Sequence, residues 1–167
     1  MDRRKFITTA GVAGTAAAAA TISAPAIGSS HKEMTIVASW GRDFPGLGVS
    51  AQRLAARINE VSEGRIKTTY YAAGEKVGAF DVFDDVASGN SQAFISAAYY
   101  WKGKHPATPF FTAVPFGLTA QELNSWVNFG GGQELWDELY GEFGLKPLPC
   151  GNSGTQMAGW FRKEINS

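Results

Sequence analysis

An α/β fold with a mostly parallel, doubly wound sheet is what this sequence predicts, and three observations carry that prediction. Short β-rich runs alternate with amphipathic helical stretches in a βαβαβ order. Glycines stand where several helical stretches should end. The composition, 44% hydrophobic and 18% charged, supplies a core and argues against disorder.

The elements follow in chain order. Met34–Trp40 is a β-rich run after a polar linker and predicts a first strand. Ser50–Ser62 places Leu54, Ile58 and Val61 at helical spacing, which predicts a helix with those residues inward and Gly64 as its C-cap. Ile66–Tyr71 predicts a second strand. Phe80, Phe83 and Val86 form one apolar stripe on a short helix ending near Gly89, and Ala93–Ala97 predicts a third strand. Thr119-Ala-Gln-Glu122 has the spacing of a capping box, opening a helix that carries Leu123, Trp126 and Val127. A further helix turns Leu135, Leu139 and Phe143 inward and ends at Gly144. Leu145–Cys150 and Met157–Phe161 are read as additional strands.

The N-terminus is read as a targeting segment. Arg3 and Arg4 precede an uncharged, Ala-rich stretch from Phe6 to Ile27 that closes on Ala24-Pro25-Ala26-Ile27-Gly28. A positive start, a weakly apolar middle and a small-residue exit predict a secretory signal over 1–28, and the arginine pair predicts the twin-arginine route. A membrane anchor fits less well, because a stable span needs about 20 strongly apolar residues and this stretch is mostly alanine. Residues 29–167 are then expected to work in the periplasm. Removing 1–28 takes Asp2, Arg3, Arg4 and Lys5 with it. That leaves 12 basic and 14 acidic residues, a net charge of −2, which points to no nucleic-acid partner.

Several stretches invite a chemical reading. Gly46-Leu47-Gly48-Val49-Ser50-Ala51 matches a dinucleotide fingerprint, but five residues separate Trp40 from Gly46, and Ala72-Ala73 stand where a ribose-binding acid belongs. Gly130-Gly131-Gly132 reads as a joint between helices, since no P-loop Lys or Ser/Thr follows. His31 and His105 are isolated and lack metal-ligand spacing. Cys150, the single cysteine, reads as a buried small hydrophobe. No catalytic set emerges. Tyr99-Tyr100-Trp101, following the third strand, Trp40 at the end of the first, and Asn152-Ser153-Gly154-Thr155-Gln156 offer aromatic walls with a few neutral amides, the lining of a small-molecule pocket. The alternative is that Tyr99 and Trp101 merely cover the core.

At these residues a family resemblance becomes specific. Phe44-Pro45-Gly46-Leu47-Gly48, Tyr71-Ala72-Ala73-Gly74-Glu75, Tyr99-Tyr100-Trp101-Lys102-Gly103-Lys104, the run Phe110–Thr119, Gly130–Trp136 and Gln156–Phe161 occur in one order along the chain. Together they resemble DctP-type solute-binding subunits of tripartite ATP-independent periplasmic (TRAP) transporters, most closely those that bind 2-oxo acids such as pyruvate. The resemblance implies a periplasmic-binding-protein-like, Venus-flytrap fold of two lobes, of which residues 29–167 form the first and the second is largely missing. It implies no catalysis, delivery of a small carboxylate to TRAP membrane permease subunits, and a homodimer as one state of the full-length protein. It also implies a Na+ or Ca2+ ion bound with the ligand, with Gln156 contacting both ligand and metal, and Asn152, Tyr99, Tyr100 and Trp40 as pocket neighbours. The carboxylate-binding arginine and the rest of the cation site are expected beyond Ser167, and Arg162 does not match that arginine. The runner-up is an exported oxidoreductase, because the twin-arginine route often carries cofactor-loaded proteins. The lack of cysteine clusters and haem motifs weighs against it.

Overall fold

Only a strand sheathed on both faces can be apolar at successive positions, and Ile36-Val37-Ala38 are all buried. They close β1 (Lys32–Ala38), the centre of a three-stranded parallel sheet in the order β2-β1-β3. In this computed structural model residues 31–154, 156 and 159–164 are described. The signal assigned to 1–28 lies outside them.

β1 is followed by α1 (Leu47–Val61) and then by β2 (Ile66–Tyr71), which pairs with β1 from Lys32↔Ile66 to Val37↔Tyr71. Next come α2 (Val82–Ala87) and β3 (Ala93–Ile95), paired with the other edge of β1 from Ile36↔Ala93 to Ala38↔Ile95. Helices therefore cover both faces, as a doubly wound sheet requires. On one face Ile36, Ala38 and Ile95 pack with Ala51 and Ala55 of α1. On the other, Val37 packs with Val82, Phe83, Trp101, Phe111, Leu139 and Tyr140.

The helix at 47–61 corrects the expected inward face. Leu54 and Val61 are exposed, while Gly48, Ala51 and Ala55 are buried and Ile58 is packed beside them. Small side chains at this spacing let the helix backbone lie close to the sheet, so alanine rather than leucine marks the buried stripe. Gly48, at the start of the helix, is pressed against the loop after β1: a Cβ there would sit 3.1 Å from Phe44 Cβ and intrude on the Gly41 carbonyl. The stripe expected on α2 is also corrected, because Phe80 precedes the helix and is 64% exposed, while Val82 takes the buried place beside Phe83.

After β3 the chain makes two 3-10 turns, Ala98–Trp101 and Thr108–Phe111, and then α3 (Ala120–Phe129) and α4 (Gly132–Gly141). The capping box forms as the sequence predicts: Glu122 N donates to Thr119 Oγ1, and Thr119 N donates to Glu122 Oε2 at 2.8 Å. Gly131, at φ 83°, turns the chain from α3 into α4, so the glycine run is the helix joint expected of it. In α4 Leu139 and Tyr140 are buried and Leu135 is exposed, another correction.

Leu145–Cys150 is not a strand. It runs without secondary structure and pairs with no ladder, and Pro147 lacks the N–H that a ladder position would use. Cys150 is consequently exposed rather than buried. Of Met157–Phe161, residues 157 and 158 lie outside the described set, and Gly159-Trp160-Phe161 form no strand.

Candidate functional site

In an open parallel sheet the loops that leave the carboxyl ends of the strands converge on one edge, which is where such folds place ligands. Here three loops do so, from Ser39 after β1, from Ala72 after β2 and from Ser96 after β3. They are laced together. Ser39 N donates to Ile95 O at 3.1 Å, and the hydroxyls of Ser39 and Ser96 are hydrogen bonded at 2.6 Å. Ala73 N donates to Trp40 O at 3.0 Å, tying the first loop to the second.

A bidentate ion pair strengthens that tie. Arg42 Nε donates to Glu75 Oε1 at 2.7 Å and Arg42 Nη2 to Glu75 Oε2 at 2.5 Å, while Glu75 Oε2 also accepts from Ala72 N at 2.9 Å. Hydrogen bonding from Arg42, then from the Ala72 amide, lowers the Glu75 pKa to about 2. The guanidinium lies 5.3 Å from the centre of the Tyr70 ring. Sequence reading passed over this pair, although Glu75 belongs to the family-like run Tyr71–Glu75.

The structure brings three of the five expected site residues to this edge. Trp40 lies two residues past β1, half-buried against the Ile36 cluster. Tyr99 and Tyr100 stand in the 3-10 turn after β3, their rings perpendicular at 4.7 Å. Burial, with Tyr100 alongside, pushes the Tyr99 hydroxyl above its ordinary pKa. Tyr100 is the better anchored of the two, packed against the core and edge-on to Trp101 at 6.3 Å. Lys104 holds the end of this turn to α2 through Asp84, at 2.6 Å. Trp101 itself is core, 3% exposed.

Asn152 and Gln156 lie apart from that edge in hydrogen bonding. Asn152 Oδ1 accepts from Gly154 N at 2.6 Å, and Gln156 Nε2 donates to Ser153 Oγ at 3.0 Å. Both residues are exposed, and among the described residues neither bonds to Trp40, Tyr99 or Tyr100. Gln156 fits a hard cation in kind, because its amide nitrogen is already engaged and its carbonyl oxygen accepts from no donor among the described residues. Among those residues no three His, Cys, Asp or Glu side chains are grouped to hold a metal ion.

Two other features are structural. The amides of Leu47, Gly48, Val49 and Ser50 at the start of α1 donate to Pro45, Phe44 and Gly46 carbonyls, so they are spent locally and not presented to a pyrophosphate. An apolar groove of about 570 Å³ lies between the Thr108–Phe111 turn, α3 and α4, lined by Phe110, Phe111, Val114, Leu118, Trp126 and Leu135 among others. None of the five expected site residues lines it, and no charged group in its lining could meet a carboxylate. His105 is used within its own turn, its Nδ1 accepting from Ala107 N at 3.2 Å.

The architecture is thus that of a single open α/β lobe whose strand ends form a polar and aromatic edge. Residues 40–167 match the family described as bacterial extracellular solute-binding protein, family 7 (DctP), and the chain belongs to that family. It is 36% identical, over its whole length and 47% of the relative's, to a monocarboxylate 2-oxoacid-binding periplasmic protein of Nostoc sp. (strain PCC 7120). It is similar to the crystal structure of a TRAP periplasmic solute-binding protein from Pseudoalteromonas atlantica T6c with bound sodium and pyruvate. There the identity is 44% and the TM-score 0.77, covering 81% of this chain and 41% of that one. A second, from Colwellia psychrerythraea with bound calcium and pyruvate, gives 42% identity and a TM-score of 0.78, covering 81% and 42%. The chain therefore spans less than half the length of these relatives. Among the described residues no helix is long and apolar enough to cross a membrane.

Proposed function

We propose that this chain supplies the first lobe of a periplasmic TRAP receptor, which captures a 2-oxo monocarboxylate of the pyruvate class with Na+ or Ca2+ and passes it to the membrane permease. The observation that carries this reading is the convergence of Trp40, Tyr99 and Tyr100 on the carboxyl edge of the sheet, in a chain 44% identical to a protein that binds sodium and pyruvate. Aromatic walls exclude water around a small ligand, and neutral oxygens suit a hard cation that offsets the ligand's charge. In this reading Gln156 contacts ligand and cation, and Asn152 lies beside it. The protein acts by closing two lobes on the ligand and not by catalysis.

Calorimetry of the full-length protein with pyruvate, in sodium and in calcium buffers, tests the proposal. Saturable binding that requires one of the cations is expected. An absence of binding to any 2-oxo acid, or a visible absorbance spectrum from a bound flavin or haem, would favour the oxidoreductase reading instead.

A further inference from the structure

Phe80 is an anomaly that its surroundings explain. It is 64% exposed, yet it is not loose: its ring meets Tyr100 edge-on, with centroids 5.2 Å apart and planes at 79°. The loop that presents it is fixed on both sides. Val77 packs against the core before it, and Val82, fully buried, opens α2 just after it. A backbone bond from Asp81 N to Gly78 O at 3.0 Å closes the turn around it, and one from Gly74 N to Val77 O at 2.9 Å braces the chain just before. A large apolar side chain is thus held out toward solvent by well-anchored neighbours, at the carboxyl end of β2.

Phe80, Tyr100 and Tyr99 form one run of edge-to-face rings along that edge, at 5.2 and 4.7 Å. The run changes character along its length. Two phenols bring hydroxyls at one end, and the other end is a bare hydrocarbon ring. A 2-oxo monocarboxylate has the same polarity: a carboxylate and oxo group at its head and an alkyl tail of variable length. We infer that Phe80 is a specificity-determining residue of the binding edge, forming the wall against which the alkyl tail of a 2-oxo monocarboxylate packs. This inference rests on the receptor function proposed above.

The test compares ligands that share a head and differ in tail: pyruvate, 2-oxobutyrate and 4-methyl-2-oxovalerate, titrated into the full-length protein and its Phe80→Ala and Phe80→Leu variants. Removing one wall of a hydrophobic site should leave pyruvate affinity within about twofold and weaken the branched acid by about fivefold to twentyfold. Phe80→Leu should fall between, because it keeps an apolar wall without the ring. A merely structural role would weaken all three ligands alike. Equal change across the series, or none, would overturn the inference and leave the receptor function standing. So would a wild type that binds pyruvate and refuses both longer acids. A wild type that binds no 2-oxo acid would overturn the receptor function itself.

Discussion

Arg42 and Glu75 form a bidentate pair that fastens the loop after β1 to the loop after β2, with Glu75 also accepting from the Ala72 amide. Charge-assisted, two-pronged bonds of this kind fix geometry as well as adding stability. Here they fix the relation between Trp40 and the second loop, whose Ala73 amide donates to the Trp40 carbonyl.

The lowered pKa of Glu75 gives this pair a pH signature. A carboxylate whose folded pKa lies near 2, against an ordinary 4.5, stabilises the native state fully above the ordinary value. That contribution fades as pH falls from 4.5 toward 2. Glu75→Gln should therefore be less stable than wild type at pH 7, with the gap closing over that acidic window. Urea midpoints for both proteins from pH 7 to pH 3 measure it, and a gap independent of pH would show that the pair does not carry the difference.

A second ion pair is more deeply set. Lys76 Nζ lies 2.9 Å from both Asp85 carboxylate oxygens and 2.9 Å from Ser91 Oγ, and Asp85 is 9% exposed. Ser91 donates to the same carboxylate, joining the start of β3 to α2. Asp85→Ala would strand the Lys76 ammonium with one hydroxyl and a distant carbonyl. A loss of about 1–3 kcal/mol is expected, with Asp85→Asn costing less because it keeps an acceptor. Thermal melts at neutral pH decide this, and an unchanged melting temperature for Asp85→Ala would count against it.

The first three strands and their parallel order were legible in the sequence because β-rich runs and helical spacing are local signals. The capping box was equally local, and Thr119 and Glu122 bond as their spacing predicts. Facing was harder to read. Leu54 is the more hydrophobic residue, but it is Ala51 and Ala55, with Ile58 beside them, that meet the sheet, and that facing is set by Ile36, Ala38 and Ile95, distant in sequence. Leu145–Cys150 has strand-like residues, yet a strand exists only with a partner, and none of the described segments offers one. For the site, aromatic residues after a strand pointed to Tyr99 and Tyr100. Nothing local marked Arg42 and Glu75, whose meeting depends on the parallel pairing of β1 with β2.

Export through the twin-arginine route is our proposal for Arg3 and Arg4. Lysine keeps the charge of arginine but not its planar guanidinium fork. Replacing both arginines with lysine should leave precursor in the cytoplasm, measured by fractionation of cells expressing the full-length protein. Normal amounts of processed periplasmic protein would assign the signal to the general secretory route.

Gln156 carries the most direct test of the binding site. Its amide nitrogen is engaged by Ser153 Oγ at 3.0 Å, which leaves the carbonyl oxygen as a neutral, hard donor. Beside a ligand carboxylate such a donor completes a cation's coordination without adding charge. Gln156→Ala in the full-length protein should remove one oxygen ligand and cost about 1–3 kcal/mol, or roughly fivefold to 150-fold in affinity. Gln156→Glu should weaken binding in sodium, where a second negative charge faces the carboxylate, and recover part of it in calcium, whose extra charge offsets it. Titration with pyruvate across sodium and calcium concentrations separates these effects. If Gln156→Ala binds as wild type does, with the same cation dependence, the residue is structural and the cation is held elsewhere.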